Sequence, residues 1–200
     1  MPRQKLKGRN VVIIANNGPI DTQGANKAAQ FIQLCDQIDI PIIFLNNVTG
    51  YMVGKKYEQA GMIKHGSKMI QAVSNAKVPK ITIFLGASFG AANYGMCGYG
   101  YDPDFLFSWP NAKIGVMGGK QAAYTMMQVM EASAKRKNEE LDKEKLEDKE
   151  KQIIEDYDKQ SDIFYVSGCL LDQGVIDPRD TRKVLSFTLK TCKEAKNKTL

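Results

Sequence analysis

Apolar runs of strand length alternate with stretches of helical period along this chain. Residues 11–15 (VVIIA) predict a buried strand, closed by the turn Asn16-Asn17-Gly18-Pro19. Ala25, Ala28, Ala29, Ile32 and Cys35 recur on one face of a helix that runs to about Gln37. A second strand over 40–45 gives way to a loop over 46–54, and a helix over 57–75 turns Met62, Met69, Ile70 and Val73 inward. The third strand, 81–85, runs straight into the small-residue turn 86–92 and a helix through Met96. Shorter extended pieces follow at 105–107 and 113–116, then Gly118-Gly119 and a helix from about Gln121. Val175-Ile176 with Asp177-Pro178 opens the last unit, a helix capped by Thr181 and carrying Val184, Leu185, Phe187, Thr188 and Leu189.

This alternation predicts an α/β fold of mainly parallel strands, in which ligands gather at the carboxyl ends of the strands. Between 135 and 151 seven basic and seven acidic residues balance, with Glu139 four residues ahead of Lys143 and Glu147 four ahead of Lys151. That spacing predicts a charged surface helix. No fixed-period repeat or low-complexity linker interrupts the pattern, so residues 1–200 read as a single domain.

Composition changes the picture in three places. With 200 residues, 43% hydrophobic, the chain buries about 70% of its unfolded surface and needs no metal or disulfide staple. The net charge of +6 is confined to the ends: residues 1–9 and 182–200 hold ten basic residues against Glu194, and the rest is slightly acidic. Without interleaved aromatic platforms this excludes nucleic acid as an expected partner. No apolar run approaches the roughly 20 residues that cross a bilayer, and the basic residues 1–8 have no apolar region behind them, so neither membrane span nor secretory signal is expected.

Cys35, Cys97, Cys169 and Cys192 form no CxxC pair and read as reduced, mostly buried thiols. His65, the one histidine, reads as a solvated helix residue, so no metal site is expected. Gly118-Gly119-Lys120 lacks the spacing of a phosphate loop, Gly98-Tyr99-Gly100 meets Pro103 where a dinucleotide fingerprint needs its third glycine, and Asp102 and Asp104 flank Pro103 in an expected surface turn. Gly86-Ala87-Ser88-Phe89-Gly90 fits the nucleophile elbow of serine hydrolases, yet no histidine follows Ser88 to serve as its base. The same turn supports another chemistry. Backbone N–H groups at a helix start are unpaired, and Gly90, Ala91 and Ala92 carry no bulk to keep an anionic oxygen away, which makes an oxyanion hole. Close packing of one helix on its neighbour accounts for small residues equally well.

Three long segments, residues 44–54 (FLNNVTGYMVG), 86–98 (GASFGAANYGMCG) and 109–123 (WPNAKIGVMGGKQAA), resemble the carboxyltransferase β subunits of biotin-dependent acyl-CoA carboxylases, on the methylcrotonyl-CoA branch. The resemblance runs from about Gly8 through 177–182 (DPRDTR). It implies a crotonase-like spiral of ββα units and the transfer of a carboxylate from carboxybiotin to an enoyl-CoA thioester such as 3-methylcrotonyl-CoA, a step of leucine breakdown. In that family the subunit has two such halves. This chain resembles the C-terminal, biotin-side half, which implies no activity without the N-terminal, CoA-side half.

By the same resemblance, the backbone of Ala91 and Ala92 forms the oxyanion hole for the biotin ureido oxygen. Thr49, Gly50, Tyr51, Val53, Gly54 and Gly90 border the biotin, and Asn16, Asn17 and Gly18 lie on the acyl-CoA side. The implied partners are the N-terminal half, a biotin carboxylase with its biotin carrier domain, and further copies in a homo-oligomer. The implied compartment is the mitochondrial matrix in a eukaryote and the cytoplasm in a bacterium. Two other readings remain open: a noncatalytic crotonase-like assembly module, and a serine hydrolase using Ser88. Ala91-Ala92 departs from the Gly-Ala or Ala-Gly of many relatives, which backbone donors tolerate.

Overall fold

A computed structural model describes residues 3–137 and 143–198. The sheet is built on the expected parallel strands, β2 (Arg9–Ala15), β3 (Ile42–Val48) and β4 (Lys80–Phe89), side by side in that order. Three further strands extend it: β1 (Arg3–Leu6) pairs antiparallel with β2, while β5 (Phe105–Ser108) and β6 (Lys113–Gly115) both pair parallel with β4. The sequence reading missed β1, whose apolar content is one leucine.

Alternation along the strands sorts their side chains onto two faces. Val12, Ile14, Ile42 and Phe44 pack on one face under α1 (Thr22–Gln37) and α3 (Met62–Asn75). Val11, Ile43, Ile81 and Ile83 fill the other under Leu185 and Leu189 of the last helix, α8 (Thr181–Lys198). A sheet covered on both faces accounts for the near-continuous apolar runs of β2, β3 and β4. The predicted face of α1 is the buried one, and Asp21 caps that helix by accepting from the Gly24 amide at 2.7 Å.

Four expectations need correction. The helix foreseen over 57–75 is two pieces, α2 (Lys55–Gln59) and α3, broken at Gly61, whose φ of +82° interrupts the helical backbone. The third strand does not stop at Leu85 but runs ten residues, through Gly86 to Phe89, because β6 supplies it with a partner beyond β5. In α8 the buried face is Leu185, Thr188, Leu189 and Cys192, which puts Phe187 out of phase and 68% exposed; Asp177, not Thr181, caps the turn that leads in, accepting from the Arg179 amide. The charged segment is not one helix: α5 (Gly119–Lys137) ends within it and α6 (Lys143–Ser161) begins within it, Glu139 lies outside the described residues, and Lys151 reaches Asp148 at 3.9 Å.

α5 and α6 pack together, Gly119 lying so close to the Ile154 carbonyl that an added Cβ would stand 2.9 Å from its oxygen. A short α7 (Ile163–Gly168), capped by Asp162, buries Ile163 and Val166 against Phe84 and Leu106. Among the described residues no helix is long and apolar enough to cross a membrane, and no group of three or more His, Cys, Asp or Glu side chains is placed to hold a metal.

Cys35, Cys97 and Cys192 are buried and Cys169 is exposed, and none of the four is in a disulfide. Burial pushes the Cys97 thiol up to about 12 and the Cys192 thiol up to about 11. Native protein titrated with a thiol reagent near pH 8 should therefore label at Cys169 alone, and mass spectrometry of the labelled peptides checks it.

Candidate functional site

The carboxyl ends of β2, β3 and β4 open on one edge of the sheet, where the chain passes into Asn16–Gly18, Thr49–Gly54 and Gly90–Ala92. The three candidate segments are thereby neighbours. Their connections are made by side-chain amides. Asn47, the penultimate residue of β3, donates through its backbone N–H to Asn16 Oδ1 (3.1 Å) and through Nδ2 to Asn17 Oδ1 (2.8 Å), and its carbonyl accepts from the Gly18 amide (2.8 Å). Its Oδ1 meanwhile accepts from the Ala87 amide of β4 at 3.0 Å, where the β3–β4 register shifts. This side chain stands in for a ladder bond lost at the irregularity. Gly86 makes room for it, since a Cβ there would meet Asn47 Oδ1 at hydrogen-bond distance or less.

The turn after β4 begins at Gly90, which has φ +62° and lies close to the Val116 carbonyl, so an L side chain there would be strained. Its N–H donates to the Gly115 carbonyl at 3.1 Å, which ties the turn to the end of β6 and removes Gly90 as a donor. The Ala91 N–H has no acceptor among the described residues, and Ala91 is exposed. Ala92 begins α4 (Ala92–Gly95), ahead of the first intrahelical bond, and is buried. Because α4 is a single turn, the helix dipole contributes little here, and the site rests on the local N–H groups.

Ala91 also lines an apolar groove of about 400 Å³ with Tyr51, Met52 and Val53 from the β3–α2 loop and Met62, Ile63 and Ile70 from α3. Thr49, Gly50, Gly54 and Gly90 stay outside that lining, Thr49 pointing to solvent. The Tyr51 ring lies over Gly66, and its hydroxyl lodges against Gly95 and Met69 without a hydrogen-bond partner. Burial, with a smaller contribution from Tyr101, pushes its pKa up to about 12. His65 is half-buried rather than solvated: its ring sits by Gly61 and its Nδ1 is enclosed without a partner.

Ser88 is no nucleophile elbow. It lies within β4, fully buried, and its Oγ accepts from Asn46 Nδ2 (3.1 Å) and Asn93 Nδ2 (2.7 Å), two carboxamides that cannot take a proton from it. The sequence reading singled out neither Asn46, Asn47 nor Asn93 individually. Their available signal was two polar residues interrupting the apolar run of β3.

The carboxyl transferase domain model matches residues 2–200. The chain belongs to the carboxyl transferase family. The methylcrotonoyl-CoA carboxylase β chain of Dictyostelium discoideum is 48% identical over 188 residues, and that of Arabidopsis thaliana 50% over 185; these cover 94% and 92% of this chain and 32% of each relative. The geranyl-CoA carboxylase β subunit of P. aeruginosa superposes with a TM-score of 0.89 at 49% identity, over 97% of this chain and 36% of that one. The transcarboxylase 12S structure, described as a hexamer with methylmalonyl-coenzyme A bound, superposes at 0.82 with 32% identity. This carboxyl transferase chain thus spans about a third of the length of the curated relatives it matches. Its α/β architecture is the crotonase-like fold foreseen from the resemblance.

Proposed function

We propose that this chain is the biotin-side half of an acyl-CoA carboxylase carboxyltransferase, taking a carboxylate from carboxybiotin and passing it to an enoyl-CoA such as 3-methylcrotonyl-CoA. The observation that carries the reading is the amide of the exposed residue Ala91, without an acceptor, in the lining of an apolar groove on the carboxyl edge of the sheet. A bicyclic ring with one polar oxygen suits a groove with mainly apolar walls and an unpaired backbone donor among its lining. When bound, biotin supplies the carboxylate and takes up negative charge on its ureido oxygen. Ala91, with Ala92 behind it, would donate to that oxygen more strongly as the charge grows, and such differential binding lowers a barrier. Tyr51, Met52, Val53, Met62 and Ile70 would hold the ring and keep water off it.

The proton lost from the enoyl-CoA would pass to the ureido nitrogen that gives up the carboxylate, so no side-chain base would be required of this chain, which agrees with the burial of Ser88 between two carboxamides. The segment Asn16–Gly18 faces the acyl-CoA in this reading. The CoA-side half, a biotin carboxylase with its carrier domain, and further copies of the subunit complete the assembly, in the mitochondrial matrix of a eukaryote or the cytoplasm of a bacterium.

An amide-resolved NMR titration with free biotin tests the reading. Shifts confined to Gly90, Ala91, Ala92 and residues 49–54, lost at Gly90 and Ala92 in Ala91→Pro, are the expected result. Absence of shifts at millimolar biotin, both alone and with the CoA-side half added, would overturn it and leave the assembly module.

A further inference from the structure

Ala91 stands at the capping position before α4 and supplies no side-chain cap, and a four-residue helix has too few bonds of its own to hold a turn in place. We infer that Ser88 and Asn93, backed by Asn46 and fenced by Gly98, are positioning residues that fix the Ala91 and Ala92 amides. The inference rests on the oxyanion reading given above.

The geometry forms a bracket. Ser88 stands three residues before Ala91 and Asn93 two after it, and the 2.7 Å bond from Asn93 Nδ2 to Ser88 Oγ closes the loop of chain that carries both amides. The backbone repeats the closure, Asn93 N–H donating to the Gly90 carbonyl at 3.1 Å. Asn46, fully buried on the neighbouring strand, donates to the same Ser88 Oγ and pins it from below, at the cost of leaving its own Oδ1 without a partner. On the outer side Gly98 leaves no slack: a Cβ there would overlap the Asn93 carboxamide, and the Gly98 N–H donates to the Asn93 carbonyl at 2.9 Å. The Asn93 carboxamide is therefore confined between Ser88 and Gly98. A donor displaced by a fraction of an ångström loses much of its effect on a developing charge, so a bracket of this kind acts on turnover without touching substrate.

The experiment uses the assembled carboxylase carrying Asn93→Ala, Ser88→Ala or Gly98→Ala, beside Ala91→Pro. Asn93 is only half-buried and its truncation adds no atoms, so Asn93→Ala reports even if the buried Ser88→Ala and Gly98→Ala fold poorly; at Gly98 the φ of −71° is one that alanine adopts freely. The expected result is a roughly tenfold fall in kcat with KM for the acyl-CoA unchanged, together with amide exchange about tenfold faster at positions 93 and 98, whose N–H groups are bonded within the bracket, and unchanged in β2 and β3. Faster exchange throughout the sheet, or unaltered kcat in all three variants while Ala91→Pro loses activity, would overturn the bracket and leave the oxyanion reading intact. Unaltered kcat in Ala91→Pro would overturn both.

Discussion

Ala91→Pro should lower kcat of the assembled carboxylase by about 10² to 10³, the loss typical of one deleted oxyanion donor. The substitution is unusually clean at this position. Ala91 has φ −65°, the value a proline ring imposes, and its N–H makes no bond in the protein, so the exchange removes a donor without removing a structural contact. KM for the acyl-CoA should stay within about twofold, because the interaction is made in the transition state rather than in the bound substrate. Steady-state kinetics with free biotin derivatives and with the acyl-CoA checks both numbers, and a fall in thermal midpoint comparable to that of a core mutant would count against the interpretation.

Gly95→Ala should be strongly destabilising, with a loss of about 2–3 kcal/mol. The added Cβ would collide with the Tyr51 hydroxyl and press on Met69 Sδ, at a hydroxyl that is already enclosed. For a domain of this size the expected drop in thermal midpoint is roughly 5–10 °C by calorimetry. Tyr51→Phe should restore part of it in the double variant, since it deletes the colliding oxygen. Alone, Tyr51→Phe should be neutral or stabilising, because that hydroxyl is buried without a partner. The alkaline limb gives a second readout. Tyr51 holds its proton up to about 12 when folded and releases it near 10 when unfolded, so its contribution is intact below pH 10 and is lost between about 10 and 12. The phenylalanine variant should lose stability less steeply across that window.

Much of this architecture was legible because burial is periodic. The inward face of α1, and the buried runs of β2, β3 and β4, follow from spacing alone, and a parallel α/β sheet then puts three turns on one edge. The misread boundaries have a common cause. Gly86-Ala87-Ser88 has the composition of a turn, and pairing with β6, about 25 residues further on, and with Val48 of β3 makes it a strand. Phe187 is apolar enough to suggest the core, yet a residue two positions from Leu185 stands on the far side of a helix. The pattern Gly-x-Ser-x-Gly suggested a nucleophile, but a motif carries no information on burial, and the partners of Ser88 come from Asn46, 42 residues away in sequence, as well as from nearby Asn93. Hydrogen bonds between distant carboxamides leave no periodic trace, so the asparagines that join the three segments became visible only in three dimensions.

The covering of one sheet face by α8 bears on how the chain is made. Ile81 and Ile83 emerge from the ribosome about 100 residues before Leu185 and Leu189, and Ile43 earlier still, a delay of roughly 5–20 s or more at ordinary rates of synthesis. Over that interval a row of isoleucines on parallel strands stands bare to water, with the run Ile81–Leu85 offering the apolar, uncharged, β-prone segment that self-association favours. Nascent chains stalled before residue 180 should accordingly engage holding chaperones, and chains released past α8 should not.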